Sequence, residues 1–194
     1  MAQRRPLVGG NWKMHGDLAS CVELTEDLIA ACEEDVLEQV DVAIFPPFPY
    51  VQAVGHALRH HAIDLGGQDC SPDLEGPYTG QTSPAMLADL GACSVLVGHS
   101  ERRHGLAESD ALIAAKLKAA LATDLIPVLC VGETAAQRDA GEAHDVVSNQ
   151  VQEALKGLSA ENVGILSIAY EPVWAIGTGK TATPQDAQDA HAMV

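Results

Sequence analysis

The chain is poor in basic residues. Its 194 residues contain 11 Lys and Arg against 27 Asp and Glu, which gives a formal net charge of −16. A field of that sign repels phosphodiester backbones and anionic bilayers. The composition therefore argues against nucleic acids and membrane surfaces as partners, although a few local cations could still hold a small anionic substrate.

The sequence also lacks the usual signals of a disulfide framework, a zinc site or a membrane span. The five cysteines are odd in number, scattered along the chain and without a C-x-x-C pair. No apolar run approaches the roughly 20 residues that cross a bilayer. No linker or low-complexity tract divides the sequence, and 47% of its residues are apolar. We therefore expect one domain over residues 1–194, located in the reducing cytoplasm.

Short apolar runs alternate with longer amphipathic segments, six times over. The runs predict buried parallel strands, because both of their faces are apolar, at 6–11, 40–46, 62–68, 93–99, 125–131 and 163–171. Helices are predicted at 17–33, where Asp17 is the N-cap candidate, at 109–123 and at 143–158. This βα repeat indicates a parallel α/β fold, either doubly wound or a (β/α)₈ barrel.

Polar residues at the carboxyl ends of the strands favour the barrel, in which such ends converge on one pocket. They are Asn11, Lys13, Gln68, His99, Cys130, Glu133 and Glu171. A complete barrel has eight βα units and about 250 residues. With six units, the predicted fold is an incomplete TIM barrel.

Glu171 precedes a loop that ends in GTGKT. A phosphate-binding G-x-x-x-x-G-K-[ST] motif would need glycine at the position that Trp174 occupies, so a nucleotide site is not indicated. Pro172, Gly177 and Gly179 instead suggest a hinged lid. Closing a lid over a carboxylate expels water and raises its proton affinity, as a general base requires. A strand-end salt bridge is the plainer interpretation of Glu171.

Three further candidates have plain structural explanations. His99 heads HSERRH, where the first turn of a helix favours a neutral imidazole, and residues 101–103 resemble an ion-pair cluster. Lys13 is the candidate cation for an anionic substrate, although a lysine there is usually just solvated. The histidines of HALRHH, at 56, 60 and 61, lack the carboxylate or cysteine of a metal site, so an exposed helix face is expected.

Five motifs in order, GGNWKMHG, GPYTGQTSPAML, VLVGHSERRH, VLCVGE and AYEPVWAIGTGKTATP, closely resemble triosephosphate isomerases from about residue 5 to the end. The resemblance implies interconversion of glyceraldehyde 3-phosphate and dihydroxyacetone phosphate through an enediol, with no cofactor or metal. It implies that Glu171 takes the carbon-bound proton, neutral His99 polarises the carbonyl, Lys13 stabilises negative charge and Asn11 orients the site.

The same resemblance assigns the lid and a dimer interface. The lid comprises Pro172, Val173, Trp174, Ala175, Ile176, Gly177, Thr178, Gly179, Lys180, Thr181 and Ala182, with the Gly177 N–H offered to the phosphate. The loop 68–82 would insert into a second subunit, with Thr79 near its tip, which implies a homodimer. Gln81 stands where the family usually has a glutamate that pairs with an arginine matching Arg102 across the interface.

The family continues through two further βα units, so the resemblance implies a chain truncated before them. Its first and sixth strands would then be open edges. A catalytically incompetent fragment that acts only as a structural or dimerising element is the alternative. A Schiff-base aldolase is a third reading, but none of the six strand candidates contains the lysine it needs.

Overall fold

A computed structural model describes residues 5–194 and shows six parallel strands. They are β1 (Leu7–Asn11), β2 (Asp41–Phe45), β3 (Ile63–Gly67), β4 (Ser94–Val97), β5 (Ile126–Val131) and β6 (Ser167–Tyr170). Each strand pairs with the next in sequence, so the sheet order is β1-β2-β3-β4-β5-β6. The sheet curls into a half-barrel with helices outside it, and β1 and β6 lie at its edges. The incomplete TIM barrel is confirmed.

Ten α-helices, together with a 3₁₀ turn at Phe48–Tyr50, connect and cover the described strands. They are α1 (Leu18–Ala31), α2 (Glu34–Leu37), α3 (Val51–Ala57), α4 (Pro84–Asp89), α5 (Ser100–Gly105), α6 (Asp110–Leu121), α7 (Ala135–Asp139), α8 (Ala143–Leu155), α9 (Ala160–Ile165) and α10 (Pro184–Met193). The predicted N-cap is confirmed: the Asp17 side chain accepts a hydrogen bond from the Ser20 N–H, 2.9 Å away. Ser109 caps α6 in the same way.

The period-two alternation of the strands divides the core into two layers. The main layer, between the sheet and the helices, contains Val95, Leu129 and Val131, all fully or almost fully buried. A smaller layer fills the inner face with Phe45, Leu96, Val128 and Cys130. Gly66 makes room for it, because a Cβ atom there would lie 2.3 Å from the Phe45 ring. At the ends of the strands, residues whose side chains point to this inner face therefore lie at the mouth of the half-barrel.

Two local predictions are wrong. The apolar run from Val163 begins as helix α9 and becomes strand only at Ser167. The histidines of HALRHH do not share a helix face, because α3 ends at Ala57 and His60 has φ of +71°. Within residues 5–194, no group of three or more His, Cys, Asp or Glu is placed to hold a metal ion.

Over the same residues, no helix has both the length and the apolar character needed to cross a membrane. The longest, α1, has 14 residues and carries Glu23, Glu26 and Asp27.

Candidate active site

Four of the predicted site residues meet at the carboxyl-terminal end of the half-barrel. Asn11 is the last residue of β1, Glu171 directly follows β6, and His99 lies between β4 and α5. Asn11, His99 and Glu171 line one cavity of about 580 Å³ on the inner face. Asn11, Lys13 and His99 also line a second cavity of about 510 Å³ beside it. The strand ends thus gather residues 160 positions apart in sequence around one mouth.

The carboxylate of Glu171 faces the imidazole of His99. Glu171 Oε2 lies 3.7 Å from His99 Nε2, and the two side chains are 14% and 13% exposed. The Ser100 N–H, in the first turn of α5, donates to the Glu171 carboxylate at 3.2 Å. The His99 ring and the Ser100 N–H therefore flank the Glu171 carboxylate, which is largely shielded from water.

The orientation of the His99 ring follows from its place as the N-cap of α5. The Glu101 N–H donates to His99 Nδ1 at 3.2 Å. A ring nitrogen that accepts a hydrogen bond carries no proton, so the proton of a neutral imidazole sits on Nε2. Nε2 is the atom directed at Glu171 and the cavity, where it is placed to donate to a substrate oxygen.

A strained turn places Lys13 at the same mouth. Lys13 has φ of +53°, a left-handed conformation that is uncommon for a side chain of its size. Its N–H donates to Asn11 Oδ1 at 2.9 Å, and Gln68 Nε2 donates to its carbonyl oxygen at 2.8 Å. Its ammonium lies 2.7 Å from Glu101 Oε1. The turn thus fixes the backbone while an ion pair holds the charged end over the cavity.

The predicted lid, residues 172–182, forms a series of turns rather than a helix or strand. Its root is fixed, since Trp174 is 7% exposed and the Val173 N–H donates to the Glu171 carbonyl oxygen at 2.8 Å. Its tip, 176–181, is exposed throughout, and Gly177 and Gly179 have φ of +71° and +78°. Such a segment can move about its root without disturbing the core.

Comparison with known proteins decides the family. The family model described as triosephosphate isomerase matches residues 6–194. A triosephosphate isomerase of Xanthobacter autotrophicus is 48% identical over 194 residues, which cover all of this chain and 75% of that protein. One from Roseiflexus castenholzii is 51% identical over 188 residues, 97% of this chain and 73% of the relative. The chain belongs to the triosephosphate isomerase family.

Membership of the triosephosphate isomerase family accords with the six strands and their order. The chain spans about three-quarters of the length of these relatives; a third, from Herpetosiphon aurantiacus, is 49% identical over 98% of this chain and 76% of its own length. Every motif quoted above lies inside the matched range 6–194.

The loop 68–82 projects beside this site. Residues 75–81 are exposed, including Thr79 and Gln81. Arg102, the third predicted interface residue, lies on α5 and already has partners in its own chain: its guanidinium NH2 is 2.8 Å from Asp69 Oδ2 and 2.6 Å from Glu108 Oε1. Residues 101–103 do not pair with one another, contrary to the expected ion-pair cluster, because each turns to a different element.

A second polar group supports the lid root. Glu133 is fully buried and accepts hydrogen bonds from the Tyr170 hydroxyl at 3.0 Å and from Arg138 NH1 at 2.9 Å. Trp174 Nε1 donates to the Tyr170 oxygen at 3.3 Å, and Arg138 stacks 4.3 Å from the centre of the Trp174 ring. The end of β6, which leads into Glu171, is thus tied to Glu133, two residues after the end of β5.

Burial protects the thiol beneath the catalytic candidates. Cys130 is 3% exposed on the inner face. Its burial, reinforced by the negative charge of Glu171, raises the pKa of the Cys130 thiol well above its ordinary value. The thiol therefore remains protonated and inert at neutral pH.

Several contacts of the site had no signal in the sequence. The Ser100 N–H, the Gln68 amide and the Glu101 carboxylate fix Glu171 and Lys13 across separations of 71, 55 and 88 residues. Only the strand-end position of Gln68 hinted at such a role.

Proposed function

We propose that this chain interconverts glyceraldehyde 3-phosphate and dihydroxyacetone phosphate by proton transfer through an enediol. Family membership makes it an isomerase of triose phosphates. The observation that carries the proposal is the facing pair of Glu171 and His99, 3.7 Å apart and largely shielded from water, with the Lys13 ammonium at the same mouth. A base, a neutral hydrogen-bond donor and a cation are what an enediol transition state requires.

We assign the steps as follows. Glu171 removes the proton from one carbon and returns it to the neighbouring carbon. His99 Nε2–H donates to the carbonyl oxygen as negative charge develops there, and the ring moves protons between the two oxygens of the enediol. Lys13 stabilises that charge, and Asn11 fixes the turn that carries Lys13, since its Oδ1 accepts from the Lys13 N–H. Substrate has to draw the Glu171 carboxylate away from the Ser100 N–H, with which it is bonded here.

Closure of the lid, residues 172–182, completes the proposed site. Its exposed tip carries Gly177, whose N–H we assign to the substrate phosphate. Its root lies directly beside Glu171, so that movement of the lid expels water from the carboxylate and protects the enediol from losing phosphate.

We also propose that the chain works as one domain, in the cytoplasm, as a homodimer. The cavity of about 510 Å³ is lined by Lys13, Phe48, Gln68 and Arg102 and opens beside the catalytic residues. We assign this opening to the loop 68–82 of a second copy, with Thr79 near the tip of that loop. The exposed apolar side chains Leu74 and Tyr78, 45% and 43% accessible, are the surfaces that this contact would bury.

The test is triose phosphate interconversion by the purified chain, measured beside the same chain extended by two βα units from the Xanthobacter relative. Activity that disappears in the Glu171→Gln variant of either protein supports the proposal. Activity found only in the extended chain would show that some of the groups that bind the substrate phosphate lie in the added units. An inactive extended chain that is folded would overturn the proposal and favour a structural role.

A further inference from the structure

A single amide side chain binds both backbone groups of the residue that follows β5. Gln150 lies on α8 and is 8% exposed. Its Oε1 accepts a hydrogen bond from the Gly132 N–H at 2.9 Å, and its Nε2 donates to the Gly132 carbonyl oxygen at 3.2 Å. Gly132 is itself buried, so the amide satisfies two backbone groups that water does not reach. We call this pair of hydrogen bonds the Gln150 bridge.

The Gln150 bridge is connected to the backbone of Glu171 through one peptide group. The peptide between Val131 and Gly132 donates its N–H to Gln150, and its carbonyl oxygen accepts from the Glu171 N–H at 2.7 Å. This peptide is trans and planar, so its N–H and C=O point in opposite directions and rotate together. Gln150 therefore fixes the orientation of the group that binds the Glu171 main chain.

Gly132 also contacts Glu171 directly. The Glu171 carbonyl oxygen packs against the Gly132 backbone so closely that a side chain at residue 132 would overlap it. The same oxygen accepts from the Val173 N–H at 2.8 Å, at the root of the lid. The next residue after Gly132 is Glu133, whose buried carboxylate accepts from the Tyr170 hydroxyl. A displacement of Gly132 would thus reach the proposed base from both sides of its peptide.

We infer that Gln150 is a positioning residue for the proton transfer, because through Gly132 it sets the place of the Glu171 carboxylate. The inference rests on the proposed function, in which Glu171 is the base. Gln150 lines neither of the two cavities at the mouth, so it acts without touching substrate. A shift of about 1 Å in a catalytic group can cost about 100-fold in rate, even when the change that causes it lies far from the chemistry.

The substrate-binding side of the mouth is held independently of the Gln150 bridge. The backbone and ammonium of Lys13 take their hydrogen bonds from Asn11, Gln68 and Glu101. Loss of the bridge should therefore lower the rate of proton transfer and leave substrate binding almost unchanged. A glutamine that only satisfied buried backbone groups would instead contribute to stability and leave turnover as it is.

The test is a double-mutant cycle on kcat, measured in whichever parent is active, the chain or its extended form. Gln150→Met keeps the length of the side chain and removes both hydrogen bonds. It is expected to lower kcat about 10-fold and to change KM less than about 2-fold. In a Glu171→Gln background it should lower the remaining turnover less than about 2-fold, because the base that it positions is already absent. Gln152→Met, on the exposed face of α8, is the matched control and should leave kcat unchanged.

The outcomes separate the inference from the function on which it rests. An unchanged kcat in Gln150→Met, or an equal loss in the two backgrounds, would overturn the inference alone, whatever the change in thermal stability. Full turnover in Glu171→Gln, or a parent inactive in both forms, would overturn the proposed function and the inference together. Circular dichroism checks the fold of each variant. If Gln150→Met does not fold, Gln150→Asn replaces it with the same expected losses, because its amide is one methylene further from Gly132.

Discussion

The carbonyl oxygen of Glu171 lies 1.9 Å from the position that a Cβ atom would take at Gly132. Real atoms cannot approach so closely, so the backbone that carries the proposed base passes β5 only because residue 132 has no side chain. Gly132 is itself held in place, since its N–H donates to Gln150 Oε1 at 2.9 Å. The position of the Glu171 carboxylate is thus set partly from the neighbouring strand.

Gly132→Ala is therefore expected to displace Glu171 and lower kcat/KM by at least about 10-fold, because small shifts of a catalytic group cost large factors in rate. Overpacking should also cost about 1–3 kcal/mol in the free energy of unfolding. The matched control is Gly164→Ala in α9, where an added Cβ meets nothing within 4 Å. Equal effects of the two substitutions would contradict the close approach described here.

Glu171→Gln should reduce turnover by about 10²–10⁴-fold, the contribution of a positioned general base. The amide keeps the size of the side chain, so circular dichroism and thermal unfolding should change little. Glu161→Gln, an exposed glutamate on α9, serves as the control and should retain full turnover. Steady-state kinetics of both variants, in the same protein used for the activity test, decide the role.

Tyr170→Phe should destabilise the fold by about 1–3 kcal/mol, because it removes the Tyr170 hydroxyl. The fully buried Glu133 carboxylate then loses a hydrogen-bond donor, and Trp174 Nε1–H loses its acceptor. The change leaves the ring in place, so the loss measures the hydrogen bonds and not packing. Denaturant unfolding gives the free energy. Tyr50→Phe, outside this group, should cost less; a Tyr170→Phe protein as stable as the parent would be inconsistent with the network.

Cys70 should resist alkylation in the folded protein. It is 2% exposed, and burial, with the nearby Asp69 charge adding to it, raises the pKa of its thiol to about 12. Almost none of it is therefore thiolate at pH 8. Iodoacetamide labelling followed by peptide mass spectrometry should modify the exposed Cys93 in the native state and Cys70 only after unfolding. Labelling of both at the same native rate would refute this.

The sequence was sufficient for the six strands because parallel strands covered on both faces leave continuous apolar runs. It failed at Val163, where the end of a helix and the start of a strand are both apolar and the run cannot show where one becomes the other. It failed at His60 because only tertiary structure shows that α3 stops at Ala57. Short helices such as α4 and α7 carry too few turns to show a period.

The sequence predicted those residues of the candidate site that lie at the ends of strands. Asn11, Lys13, His99 and Glu171 fall where the polypeptide leaves the sheet, and the topology of a barrel brings such positions together. The contacts that orient them were not predictable, because the partner of Glu171 is a backbone amide and the partner of Lys13 lies 88 residues away. Every residue except proline has a main-chain N–H, so the sequence does not show which of them will donate to a side chain.

The strand order has a consequence for synthesis on the ribosome. Each described strand from β2 to β6 pairs with the strand made just before it, and among the described strands no pairing joins units that are distant in sequence. Bringing together strands that are neighbours in sequence costs less loop-closure entropy than pairing distant ones, and domains generally fold from their amino-terminal end as they emerge. Each new βα unit thus finds its template already in place, and the nascent sheet grows at one edge, one strand at a time.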